Sequence, residues 1–365
     1  LLGQDIQNWA WNDENYNNPY WLLNKTFAYR TTNRLILNGS ANVKIIDGLN
    51  AQVRFSRDQT DTKDESGRYA TAMFKQVNSS SYYLSQGKNV ELFTDFIITF
   101  NRKFADVIDV NATVGGSYNK INYSGYSISG GADTAGLVNY FAFDNWDYWR
   151  SGTRYEGHYD AGFGASESWS DNWNAGAFAS VQVGLWDKAY IDASYRHDWS
   201  KAFQQFRNSV VTLKDKNGDP LLDKDGKPRT KPAKTSFGYY SVGANFLLKD
   251  LFNIKNKKIN IMKLRASYSE VGNSIPNSLY GSYTYNPVTG KYSGASMEFE
   301  DPQPETTRSF ELGYDMAMFN NAFDFDVTYY YSVLANQYLS TSTQAGISRP
   351  VNSGKIRNTG IEFTA

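Results

Sequence analysis

From Arg308 to Val333 apolar and polar side chains alternate on both sides of one turn. Phe310, Leu312, Tyr314, Met316 and Met318 are separated by Glu311, Gly313, Asp315 and Ala317. After Asn320-Asn321 the pattern resumes with Phe323, Phe325, Val327, Tyr329, Tyr331 and Val333, interleaved with Asp324, Asp326, Thr328, Tyr330 and Ser332. A period of two places each set on one side of a sheet, so the stretch predicts a β-hairpin with one apolar and one polar face. Each arm has about ten residues, a length that suits a soluble sandwich strand and a tilted membrane-spanning strand alike. The choice between them rests on whether the unit repeats, and with what connections.

The unit does repeat. Leu35, Leu37, Val43 and Ile45 lead through Asp47-Gly48 to Leu49, Ala51, Val53 and Phe55. Val90, Leu92, Phe96, Ile98 and Phe100 lead through Asn101-Arg102-Lys103 to Ile108, Val110, Ala112 and Val114. Two further pairs follow, 175–195 around Trp186-Asp187-Lys188 and 240–268 around Asn253–Lys258, and another strand begins at Gly360. Short connections at 46–48, 101–107, 186–188, 249–258 and 319–322 alternate with long polar ones at 59–88, 119–172, 200–236 and 273–305. A soluble sandwich has no reason to gather every long connection at one end, whereas outer-membrane barrels have short periplasmic turns and long extracellular loops. The fold class expected is therefore all-β, an antiparallel transmembrane barrel with lipid on the apolar face and a hydrated lumen on the polar one. A lipocalin-like barrel inverts the faces and lacks the loop asymmetry.

Composition agrees. The 365 residues include 27 Tyr, 22 Phe, 9 Trp and no Cys, which removes disulfides and Cys-based metal sites. Lys+Arg and Asp+Glu both number 37, so no charge argument for nucleic acid exists. No run of about 18 apolar residues is present for a transmembrane helix, and no signal peptide is visible after Leu1-Leu2-Gly3. A spanning sheet cannot keep open edges, so ten strands and part of an eleventh predict that residues 1–365 are a segment of a larger barrel.

Several stretches resemble the SusC/RagA-like family of TonB-dependent outer-membrane transporters. Lys263-Leu264-Arg265-Ala266-Ser267-Tyr268-Ser269-Glu270-Val271-Gly272-Asn273 is similar to the family's LKLRASYG-x-x-GN segment, with Ser269 replacing the usual glycine. Pro304-Glu305-Thr306-Thr307, Glu311-Leu312-Gly313-Tyr314-Asp315, Phe319-Asn320-Asn321 and Tyr329-Tyr330-Tyr331 follow in the family's order. Asn352-Ser353-Gly354 through Asn358-Thr359-Gly360-Ile361-Glu362 and Asn18-Pro19-Tyr20-Trp21 resemble two further motifs. The resemblance implies a barrel of about 22 strands closed by a plug. It also implies a TonB partner engaged through a segment outside this sequence, and a SusD-like surface lipoprotein as lid. The location it implies is the outer membrane of a Gram-negative bacterium, and the activity active import of oligosaccharides or peptides. A passive porin and a surface adhesin or soluble binding protein are the alternatives.

Candidate contact residues for substrate or lid are Tyr82, Tyr83, Trp146, Tyr148 and Trp149, aromatic side chains in long loops. Packing within those loops explains them equally well. Arg54, Asp95, Asp192, Arg196, Lys263, Arg265, Glu311 and Asp315 are expected on the lumen face, lining a substrate path or forming ion-pair ladders that stiffen the wall or hold the plug. Asp215–Asp219 and Asp223–Lys227 space oxygen ligands as calcium loops do, but neither completes an EF-hand and both suit hairpin turns, so no metal or cofactor is expected. His158 and His197 stand about forty residues apart, with no nucleophile triad or paired-carboxylate motif, so no enzyme is expected. On this face assignment Val327→Arg is costly and Thr328→Arg is tolerated.

Overall fold

The computed structural model describes residues 18–69, 80–132, 139–141, 164–217, 219–275, 284–286, 291–293, 301–342 and 348–365. In chain order the elements are α1 (Pro19–Lys25), β1 (Thr26–Ile46), β2 (Leu49–Arg68), β3 (Ser80–Phe104), β4 (Ile108–Ala132), β5 (Gly164–Leu185) and β6 (Ala189–Ser200). Next come α2 (Lys201–Gln204), β7 (Val210–Thr212), β8 (Thr230–Pro232), β9 (Ser236–Leu247), α3 (Leu248–Leu251) and β10 (Ile259–Asn273). The last are β11 (Thr284–Asn286), β12 (Lys291–Ser293), β13 (Glu305–Met318), β14 (Phe323–Ala335), β15 (Tyr338–Ser342), β16 (Ser348–Asn352) and β17 (Lys355–Thr364).

Eleven strands form one sheet in the order β1-β2-β3-β4-β5-β6-β9-β10-β13-β14-β17, a meander in which each strand pairs with the next large strand of the chain. The pairs β7-β8, β11-β12 and β15-β16 are separate two-stranded ribbons within the connections from β6 to β9, from β10 to β13 and from β14 to β17. Packing divides the chain into two units, one of Leu1–Asn38, Ser56–Leu92 and Lys120–Asp171, the other of Gly39–Phe55, Phe93–Asn119 and Asn172–Ala365.

In the second unit the predicted hairpin forms in the predicted phase. Met318 pairs with Phe323, Met316 with Phe325, Tyr314 with Val327, Leu312 with Tyr329 and Phe310 with Tyr331, which puts the two apolar sets on one face. The turn holds Phe319, Asn320 and Asn321 at φ of 55°, 60° and 62°, a left-handed run that asparagine tolerates better than most residues. The Asn260 side chain accepts from the Asn320 amide at 2.9 Å.

That apolar face is open to the surroundings: Ile191, Val242, Leu312 and Ile361 are 52, 45, 42 and 72% exposed. Such a surface in water is an association hazard, but against acyl chains it costs nothing. Two aromatic rows bound it. Tyr195 pairs with Tyr240, the Tyr240 and Tyr268 rings lie 5.8 Å apart, and Tyr268, Phe310 and Tyr331 continue in register. At the other end Tyr314, Phe323, Phe325 and Phe363 pack ring against ring. Eight residues separate Phe323 from Tyr331. That is about 27 Å along a strand and about 20 Å of height at the usual tilt, close to the apolar band of a membrane barrel with its two aromatic girdles.

The strand ends depart from the sequence-based expectation. The stretches 59–88 and 119–172, expected as long loops, are strand at both of their ends: β2 continues to Arg68, β3 begins at Ser80, β4 reaches Ala132 and β5 begins at Gly164. Side-chain polarity does not end a strand so long as the backbone groups stay paired. In the first unit these polar ends carry their own cross-strand pairs. Arg30 Nε donates to Asp64 at 2.5 Å, Arg34 Nε to Asp58 at 2.9 Å, and Tyr126 to Gln86 at 2.8 Å. The turn expected at 101–103 falls instead at Ala105 and Asp106, both at positive φ, because Asn101 is still paired to Gly48 through its amide. Ahead of the first strand stands α1. Asn18 caps it by accepting from the Tyr20 amide at 2.9 Å, and Pro19 occupies the position where a missing N–H costs nothing.

Candidate functional site

The polar face of the second unit is the part of the wall with chemistry on it. Because Met318 pairs with Phe323, Asp315 stands directly opposite Asp326. Two carboxylates in that position repel. Arg265 resolves the conflict: Nη1 donates to Asp315 at 2.5 Å, and Nη2 donates to Asp326 at 2.5 Å and to Thr328 at 2.6 Å. Lys263 adds a 3.3 Å contact to Asp315, and the Thr328 hydroxyl donates to Asp326 at 2.8 Å. Arg265 reaches both acids by lying across Gly313, where any Cβ would collide with Nε of its guanidinium. Two cations and two anions balance within the cluster, so it needs no external counterion.

A second cluster is built the same way. Arg196 Nε donates to Asp198 at 2.7 Å and Nη2 to Ser117 at 3.2 Å, while Tyr239 donates to the other Asp198 oxygen at 2.7 Å. Arg196 and Asp198 lie over Gly176, again where a Cβ would clash. Arg54 forms a forked pair with Asp95, whose carboxylate is 4% exposed.

Between these clusters the register produces two continuous rows. Gln182, Asp192, Gly243, Ser267, Glu311, Tyr330 and Gly360 are successive partners across seven strands. The adjoining row is Ser180, Ser194, Ser241, Ser269, Ser309, Ser332 and Asn358, one small polar side chain per strand. Ser194 and Ser241 are 2.7 Å apart, and Ser309 donates to Ser332 at 3.1 Å. Asp192 and Glu311 therefore stand three strand spacings apart, about 14 Å, with only Gly243 and Ser267 between them. The arrangement is a shallow polar shelf with a carboxylate at each side.

All eight residues expected on the polar face thus have defined places. Lys263, Arg265 and Asp315 come together, as do Arg54 and Asp95; Arg196 belongs to a separate cluster, and Asp192 and Glu311 share the shelf. The residues not singled out beforehand are Asp326, Thr328, Asp198, Tyr239 and Ser117. Asp326 was within reach, since a four-residue turn at 319–322 dictates its position opposite Asp315.

Tyr82 and Tyr83, expected in a loop, lie in β3 instead. Tyr82 is buried against Phe27 and Phe141 and donates to Glu65 at 2.9 Å, whereas Tyr83 is 40% exposed. Both line a cleft of about 440 Å³ within the first unit, with Phe27, Gly67 and Arg68. Trp146, Tyr148, Trp149 and His158 lie outside the described residues. At the two turns with calcium-loop spacing, Asp215 accepts from the Asn217 and Asp219 amides and Asp223 from those of Asp225 and Lys227. One oxygen of each carboxylate is thereby spent on the backbone, as in an Asx turn. Among the described residues no three His, Cys, Asp or Glu side chains converge as a metal site.

A family described as "TonB dependent receptor-like, beta-barrel" has a sequence model that matches residues 2–365. Among solved structures, the chain is similar to the RagAB peptide importer in its open-open state, with a TM-score of 0.72 and 17% identity over 94% of this chain and 34% of that one. A structure described as the RagAB peptide transporter matches with a TM-score of 0.71 and 17% identity over 94% and 35%. The closed-closed importer matches with a TM-score of 0.71 and 17% identity over 93% and 34%. The chain therefore spans about a third of the length of the solved structures it resembles. No curated protein sequence matches it.

Proposed function

Because the chain belongs to the TonB-dependent receptor β-barrel family, whose model extends over residues 2–365, we propose that it forms part of the wall of an outer-membrane importer. The transport is energised through TonB and assisted by a SusD-like surface lipoprotein. Peptides are the first substrate class to test, with oligosaccharides second. The observation that carries this reading is the fold shared with the RagAB peptide importer over 94% of the chain. On this reading the apolar face with its two aromatic rows meets lipid and the polar face lines the lumen. The Asp192–Glu311 shelf suits a peptide, since its carboxylates and hydroxyls accept from backbone N–H groups and from cationic side chains. An enzymatic role has no support in the family, which is one of receptors.

The decisive experiment is uptake of a labelled peptide pool by cells expressing the native full-length protein, with and without TonB. Uptake that disappears without TonB is the expected result. Uptake indifferent to TonB would instead identify a passive pore.

Orientation is tested separately. A cysteine replacing exposed Lys224, in the long connection between β6 and β9, is expected to react with an impermeant maleimide on intact cells, and one replacing Asn320 is not. Reaction at Asn320 alone would reverse the topology. For recognition, replacing Trp146 and Trp149 together by alanine is expected to weaken lid co-purification or uptake without lowering the amount of folded protein, because large rings dominate interfaces. Normal import with the lid retained would confine those rings to packing in their own loop.

A further inference from the structure

Beyond import, the outward face carries a feature that neither the lumen nor the lid explains. One row past the Tyr268–Phe310–Tyr331 aromatic row, the successive partners are Glu270, Arg308, Val333 and Arg357. The next outward position on β17 is Lys355. Three cations and one carboxylate thus share a face whose span below is apolar save for Thr359, the residue beneath Arg357 on β17. Arg308 is 58% exposed and donates through Nε to Glu270 at 3.0 Å, so its orientation is set while its outer guanidinium nitrogens remain available. Arg357 is exposed and has no side-chain acceptor among the described residues. Arg308 and Arg357 are two strands apart, about 9.6 Å.

Height makes this row specific. Ten residues separate Arg308 from Met318 at the turn. That is about 34 Å along the strand and about 26 Å of height, which places the guanidinium at the rim of an apolar band about 25 Å tall. A cation pair at that level, with tyrosine rings beneath it and aliphatic side chains below those, matches a lipid with phosphate on its headgroup and acyl chains under it. We infer that Arg308 and Arg357, with Lys355, form a binding site on the outer wall for a phosphorylated glycolipid of the surrounding leaflet, the phosphate bridging the two guanidinium groups and the acyl chains lying along the Tyr268–Phe310–Tyr331 face.

The test uses the full-length protein in phosphatidylcholine nanodiscs containing a small fraction of bisphosphorylated lipid A, with dephosphorylated lipid A as the matched probe. Protein-associated lipid is extracted and quantified. Wild-type protein is expected to enrich the phosphorylated form over the dephosphorylated one, R357A to lower that enrichment about fivefold, and R308A/R357A about thirtyfold. Excess inorganic phosphate is expected to leave the enrichment in place. Equal retention of the two lipids by wild-type protein overturns the inference without recourse to any variant, so a variant that fails to insert does not obscure the result. Undiminished enrichment in R308A/R357A, or complete displacement by inorganic phosphate, overturns it as well.

Discussion

Leu312→Arg is expected to destabilise the membrane-inserted protein by about 2–4 kcal/mol, whereas Glu311→Arg, one residue away, costs well under half of that. Leu312 is 42% exposed on the apolar face, six residues from the Met318 end of its strand. That is about 15 Å of height, near the middle of the apolar band. A guanidinium there loses its hydration and finds only Tyr329 and Ala266 as register partners. Glu311 lies on the opposite face, where water and Ser267 are available. Val327→Arg belongs with Leu312→Arg, but Thr328→Arg is a poorer control than the sequence alone suggests. Its hydroxyl is 2.6 Å from Arg265 and 2.8 Å from Asp326, so a new cation there meets an existing one. Denaturant titration of folding into lipid vesicles provides the comparison, and equal losses for Leu312→Arg and Glu311→Arg would refute the assignment of faces.

Arg265→Ala is expected to cost about 2–3 kcal/mol, a figure below that for breaking a fully buried pair because about a third of the side chain meets solvent. Its removal leaves Asp315 and Asp326 facing each other with Lys263, 3.3 Å from Asp315, as the remaining cation of the cluster and the Thr328 hydroxyl donating to Asp326. The distinguishing result is the second substitution. Arg265→Ala with Asp326→Asn removes the repulsion as well as the cation, so the double variant is expected to be more stable than Arg265→Ala alone. Purely additive losses in the same titration would mean that the cluster is a set of independent surface contacts. Function gives a second readout: because the cluster is internally neutral, uptake measured per folded molecule should change little.

The elements themselves show how far side-chain pattern reaches. In β13 and β14 every apolar side chain assigned from alternation lies on the expected face, since period two is a property of the extended backbone. The ends of β2 through β5 were not legible in that way. There polar residues occupy both faces, the contrast that reveals alternation is gone, and only backbone pairing shows that the strand continues.

The polar clusters divide similarly. Composition and phase place Arg265, Lys263 and Asp315 on one face, and the four-residue turn implies Asp326 opposite Asp315. By itself, then, the sequence determined the antiparallel strands, their two faces, the short turns other than the one between β3 and β4, and the charged residues of the wall, because those follow from local periodicity and turn chemistry. Which acid each arginine grips, and the alignment of six serines and an asparagine into one row, were decided only in the tertiary structure. The placement of Arg308 beside Arg357 at the rim of the apolar face belongs with them. Each depends on registers between strands far apart in the chain, and register is a property of the assembled sheet that no single stretch encodes.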